Sequence, residues 1–128
     1  MSGASPLVLI VDDDERNRKL AADLLRLAGY GITEAASGNE ALTVATAHLP
    51  DAILMDLRLP DLDGAQATRM LRADPRTAHV PVIALTVASL QGEEEWLTET
   101  GFAGYIKKPI DVDQFAGLVR GFMKPAAE

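Results

Sequence analysis

The feature that most restricts this chain is an alternation repeated five times: a short apolar run, then a stretch with helical periodicity. The apolar runs are Leu7 to Val11, Gly31 to Ala35, Asp51 to Met55, Val80 to Leu85 and Gly104 to Lys107. Strands that are apolar without alternation are buried on both faces, the mark of a parallel sheet covered by helices on each side. A closed eight-stranded barrel needs roughly 250 residues, and this chain has 128. The predicted fold is therefore α/β, an open, doubly wound, five-stranded parallel sheet. One domain over 1–128 is expected, with its core over about 7–123 and frayed termini at 1–6 and 124–128.

The helical segments carry their own punctuation. Leu20, Leu24 and Leu27 recur at helical spacing between Asp14 and Ala28, and Gly29 ends the pattern. Ser37 with Glu40, and Asp63 with Gln66, have the cap spacing of helix starts. The third helix is expected to bury Ala67, Met70 and Leu71. A fourth runs from Ser89 to Thr100, opened by the acids Glu93, Glu94 and Glu95, which suit a helix dipole. Asp111 is expected to cap a fifth, with Phe115, Leu118, Val119 and Phe122 as one apolar stripe. His48 and His79 fall in predicted loops.

Composition excludes several classes. There is no cysteine, hence no disulfide framework, thiolate metal site or cysteine nucleophile. This fits a reducing, cytoplasmic setting. A net charge of -7, with scattered Lys and Arg, disfavours direct nucleic-acid binding. The first apolar run is too short for a signal peptide or a membrane span.

Ligands of open α/β sheets bind beyond the carboxyl ends of the strands. The first strand ends in Asp12, Asp13 and Asp14, the third in Asp56, the fourth in Thr86 and the fifth in Lys108, followed by Pro109. One aspartate suffices for a helix cap, so three leave a surplus. Two carboxylates about 4 Å apart repel by roughly 4 kcal/mol at an effective dielectric of 20. A helix N-terminus offsets only about 0.3–1 kcal/mol per acid. A divalent cation would offset the rest. Oxygen donors without His or Cys select Mg²⁺, with Mn²⁺ as the alternative. Asp13 and Asp56, with a main-chain carbonyl from the following loop, suit Mg²⁺.

Four motifs, VLIVDDDE at 8–15, LMDLRLPDLDG at 54–64, ALT at 84–86 and GYIKKP at 104–109, together resemble the receiver domain of two-component response regulators. The resemblance covers about 7–123. It implies a flavodoxin-like (βα)5 fold with strand order 2-1-3-4-5. It implies that Asp56 is the phosphoacceptor, and that Asp12, Asp13, Asp56 and the main-chain carbonyl of Arg58 hold Mg²⁺. Lys108, the lysine directly before the proline, would contact the phosphoryl group; Lys107 is its neighbour. Thr86 would move toward that group, with Tyr105 changing exposure in step. A cis peptide is implied before Pro109. The implied partners are a sensor histidine kinase or a histidine phosphotransfer protein, and a downstream target. The target would meet the face of the fourth helix, fifth strand and fifth helix, near Trp96 and Tyr105. Homodimerisation on phosphorylation is a family habit. A receiver takes up and loses its own phosphoryl group and is not a turnover enzyme on a separate substrate.

Two positions depart from the family pattern. Arg58 puts a long cation two residues after the phosphoacceptor, and Val87 is bulkier than the small residue usual after the threonine. Both are candidate modulators of the phosphorylated state. Other readings are weaker. A haloacid dehalogenase-like phosphatase needs an acid where Arg58 stands. An FMN binder needs a Ser/Thr/Gly-rich first loop where Asp12 to Asp14 stand. A receiver-fold scaffold that is never phosphorylated, or a receiver cut from a longer regulator, stays open.

Overall fold

In the computed structural model, residues 6–59, 63–86, 94–108 and 110–123 are described. Five strands and five helices alternate: β1 (Leu7–Val11), α1 (Glu15–Leu27), β2 (Gly31–Ala35), α2 (Gly38–His48), β3 (Ala52–Asp56), α3 (Gly64–Ala73), β4 (Val82–Thr86), α4 (Glu94–Thr100), β5 (Gly104–Lys107) and α5 (Phe115–Met123). All strand pairs are parallel, in the order β2-β1-β3-β4-β5. This is the expected doubly wound, flavodoxin-like sheet. From β1 the chain goes outward to β2, then crosses back to β3, so the order reverses between β1 and β3.

Alternation along the strands builds two cores. Leu9, Val11, Ile53, Met55, Val82 and Ala84 face one side, against Ala41, Ala45, Ala67, Leu71 and Leu97 of α2, α3 and α4. Val8, Ile10, Leu54, Ile83, Leu85 and Ile106 face the other, against Ala21, Ala22, Leu25, Phe115 and Val119 of α1 and α5. Both faces are thus covered, which is why these strands read as unbroken apolar runs.

Several local expectations need correction. Of the leucines at helical spacing, Leu24 packs partly buried against the core, Leu20 is exposed, and none forms the fully buried stripe of α1. Ala21, Ala22 and Leu25 do, and Leu27 is 86% exposed. Small alanines let the helix lie close to the sheet, which leaves Leu20 and Leu27 exposed and Leu24 at the margin of the core. Met70 and Leu118 are likewise exposed rather than core. Asp51 precedes β3 instead of starting it: its carboxylate accepts a hydrogen bond from the Leu7 N–H at 2.8 Å and ties the two strand starts together. Val80 and Pro81 precede β4, which extends to Thr86. His48 ends α2 rather than lying in a loop. Asp111 opens a turn before α5, accepting from the N–H groups of Asp113, Gln114 and Phe115, and the helix begins at Phe115. The start expected for the fourth helix, at Ser89, lies outside the described residues.

The caps otherwise form as read. Ser37 accepts from the Glu40 N–H at 3.1 Å, while the Glu40 carboxylate reaches back to the Ala36 N–H at 2.8 Å. Asp63 accepts from the Gln66 N–H at 2.8 Å. Among the described residues no helix is long and apolar enough to cross a membrane.

Candidate functional site

Strand register brings the acids together. Val11 is level with Met55, so Asp12 and Asp56 leave adjacent parallel strands side by side, at the reversal in strand order. The three consecutive acids then divide the work. Asp14 caps α1, accepting from the N–H groups of Arg16 and Asn17 at 2.9 and 3.4 Å. Asp13 is exposed. Asp12 is only 1% exposed, and its Oδ1 accepts from the Asp14 N–H at 2.9 Å.

Asp56 is 6% exposed. Its Oδ1 accepts from the Arg58 N–H at 3.0 Å. The Lys108 Nζ lies 3.1 Å from Asp12 Oδ2 and 3.3 Å from Asp56 Oδ2. One ammonium thus faces two buried carboxylates. Carboxylate oxygens of Asp12, Asp13 and Asp56 lie within 4.8 Å of one another. Three acids against one lysine leave excess negative charge. Burial pushes the Asp56 carboxyl above its ordinary pKa, with the nearby Asp12 adding to the rise; the Arg58 N–H and Lys108 oppose it. Burial pulls Lys108 down, but its two carboxylate neighbours outweigh this, and its pKa stands above the ordinary lysine value.

One atom is left over. Asp12 Oδ2 is buried and has no regular hydrogen bond among the described residues, its charge met by the Lys108 ammonium at 3.1 Å. A buried carboxylate oxygen without a donor is costly. Together with an all-oxygen donor set and surplus negative charge, it fits a hard divalent cation such as Mg²⁺.

The other predicted residues are arranged around this cluster. Thr86 ends β4 and is buried. Its carbonyl accepts from the Lys108 N–H at 2.7 Å. Tyr105 lies opposite Ala84 in β5, partly buried against the core of α2, α3 and α4. The side chain of Arg58 is exposed beside Asp56. Trp96 is 42% exposed on α4. Val87, Pro109 and Glu93 lie outside the described residues. Gly64, at the start of α3, packs so closely on the end of β3 that a Cβ there would overlap the Asp56 carbonyl.

A family model described as the response regulator receiver domain matches residues 8–120. The chain belongs to this family. The receiver domain is 41% identical over 119 residues to the polar-differentiation response regulator DivK of Brucella ovis, covering 93% of this chain and 97% of the relative. Its fold superposes on a response regulator from Chloroflexus aurantiacus with a TM-score of 0.87 and 33% identity, covering 93% and 98% of the two chains. It also superposes on the receiver domain of a sensor histidine kinase from Pseudomonas aeruginosa, with a TM-score of 0.84 and 38% identity over 94% and 98% of the chains. That structure has a magnesium ion coordinated in its active-site cleft. The receiver domain is therefore a module of two-component signalling.

Two residues near the site were not singled out from sequence. Arg18 of α1 donates from Nη1 to the Asp12 carbonyl at 2.7 Å and from Nε to Glu34 of β2 at 2.9 Å. Neither residue stands at a strand end or in a recognisable spacing. The contact exists only once α1 is folded against β2.

Proposed function

We propose that this receiver domain takes a phosphoryl group onto the Asp56 carboxylate from a phosphohistidine of a sensor kinase or phosphotransfer protein. It then changes what its α4–β5–α5 face binds. An Asp56 oxygen forms the new P–O bond. The P–N bond breaks, and its electron pair returns to the imidazole. Phosphoryl transfer needs mainly in-line positioning and neutralisation of spreading charge, and a carboxylate is a competent nucleophile.

The observation that carries this reading is the placement of Asp56, buried between the Lys108 ammonium and the acids Asp12 and Asp13. Asp12, Asp13, Asp56 and the Arg58 carbonyl would hold Mg²⁺ or Mn²⁺, which supplies charge neutralisation at the phosphoryl oxygens. Lys108 pairs with the phosphoryl group, and the Thr86 hydroxyl turns toward it. Tyr105, one strand over, changes exposure with Thr86. Arg58, exposed beside Asp56, and Val87, next to Thr86 in sequence, govern how readily water reaches the acyl phosphate. The exposed Trp96 lies on the face offered to a downstream protein or to a second phosphorylated copy. The domain acts in the cytoplasm as a phosphoacceptor and not as a turnover enzyme.

The test is intact mass after incubation with Mg²⁺ and acetyl phosphate, for the native chain and Asp56→Asn. A gain of one phosphoryl group, lost in the variant and on chelating Mg²⁺, is the expected result. No gain in the folded chain, with Trp96 fluorescence and backbone NMR shifts unmoved by beryllofluoride, would overturn the reading in favour of an unphosphorylated scaffold.

A further inference from the structure

We propose that Arg18 is a positioning residue for the acidic site. It fixes the peptide between Asp12 and Asp13, so that the two carboxylates stand where one cation meets both. The inference rests on reading the cluster as a cation site.

Residue 12 is tied to the edge strand β2 at both of its backbone polar groups. Its N–H donates to the Ala35 carbonyl at 3.1 Å. Its carbonyl accepts from Arg18 Nη1 at 2.7 Å, and Arg18 is in turn held by Glu34. Side chains on a helix lean toward its N-terminus, which is how a residue in the first turn of α1 reaches back to the end of β1. Glu34 is opposite Ile10 in the sheet, on the face that α1 covers. Its Oε1 takes Arg18 at 2.9 Å, and its Oε2 lies 3.7 Å from Arg26. The guanidinium is gripped at two points, so its plane is set. The Arg18 side chain is 18% exposed, which limits screening by solvent.

A carbonyl and the following N–H share one rigid plane. Holding the Asp12 carbonyl therefore fixes the direction in which the chain leaves for Asp13. Among the described residues, the Asp13 carboxylate has no hydrogen-bond or ion-pair partner of its own. Its reach is set by its backbone, which Arg18 holds at the Asp12 carbonyl, beside the Ala35 carbonyl at the Asp12 N–H and the Asp12 carboxylate at the Asp14 N–H. Groups that orient metal ligands in this way typically change metal affinity by 10–100-fold when removed.

A purely structural role, pinning α1 to β2, predicts lost stability and unchanged affinity. Arg26→Ala is the control, because it takes a partner from Glu34 without touching Asp12. Binding of Mn²⁺ alone is followed by its electron paramagnetic resonance signal, on the full chain, beside urea unfolding. Arg18→Met is expected to weaken Mn²⁺ binding about tenfold, Arg18→Lys to fall between, and Arg26→Ala to match the native chain. Folded Arg18→Met with affinity within about twofold of native would overturn the proposal. If Arg18→Met does not fold, Glu34→Gln decides: weakened binding supports the proposal, and unchanged binding overturns it. A native chain that binds no Mn²⁺ would overturn the cation-site reading itself, and this inference with it.

Discussion

Thr86 and Lys108 are joined through the backbone: the Lys108 N–H donates to the Thr86 carbonyl at 2.7 Å. The backbones of the two residues are therefore tied together where they leave neighbouring strands. Lys108 is held a second time at its tip, by Asp12 and Asp56. Sheet pairing thus gathers the Thr86 and Lys108 backbones and the Asp12 and Asp56 carboxylates at one rim.

Removing the shared ammonium should expose the repulsion it masks. Lys108→Met leaves two buried carboxylates without their cation. A loss of about 2–4 kcal/mol is expected at neutral pH without Mg²⁺, because breaking one side of a buried pair strands the other charge. Urea unfolding measures it. Added Mg²⁺, or acid sufficient to protonate the carboxylates, should recover part of the loss. An unchanged midpoint would mean that the carboxylates do not oppose each other.

Asp56 should destabilise the metal-free fold. Its pKa is raised in the folded protein. Between the ordinary aspartate pKa and the raised one, the folded chain binds more protons than the unfolded chain. Stability therefore falls as pH rises through that window. Asp56→Asn is expected to be more stable than the native chain at neutral pH, by on the order of 1 kcal/mol, and the gap should close in acid. Thermal melts in EDTA across pH decide this. Mg²⁺ at one hundred times its Kd should add about 2.7 kcal/mol to the native chain and less to the variant. Lys108 has the opposite window: its raised pKa gives stability that is full below the ordinary lysine pKa and lost as pH climbs through the folded value.

Gly104 makes room for an aromatic ring. A Cβ there would overlap Phe122 of α5. Gly104→Ala should cost about 1–3 kcal/mol by forcing the ring aside. A smaller companion change, Phe122→Leu, should relieve that clash. A double-mutant cycle in urea would show coupling between the two; additive losses would place the strain elsewhere.

The two faces of α1 can be told apart by truncation. Leu25 is fully buried, and Leu27 is mostly exposed. Leu25→Ala should lose about 2–5 kcal/mol, and Leu27→Ala should change stability by no more than about 0.5 kcal/mol. Comparable losses would restore the leucine stripe suggested by spacing.

That last contrast shows where the sequence could be read and where it could not. β2 and β5 have the bounds expected from their short runs, and the acids gather because every strand is parallel and each run ends at the same rim. The seat of α1 was not legible. Leu20, Leu24 and Leu27 have the stronger hydrophobic signal, yet the close approach of helix to sheet selects Ala21 and Ala22, whose value lies in small size. Arg18 was illegible for a different reason. Its partners, a carbonyl at the end of β1 and an acid on β2, become neighbours only through tertiary packing.

The clearance at Gly64 has a consequence for anyone re-engineering this domain. With no room for even a methyl group between α3 and the Asp56 peptide, the start of α3 acts as a fixed gauge for the height of the Asp56 carboxylate. Libraries that vary the loop after β3 should leave this position untouched, because any side chain there would lift the helix and shift Asp56 along with it.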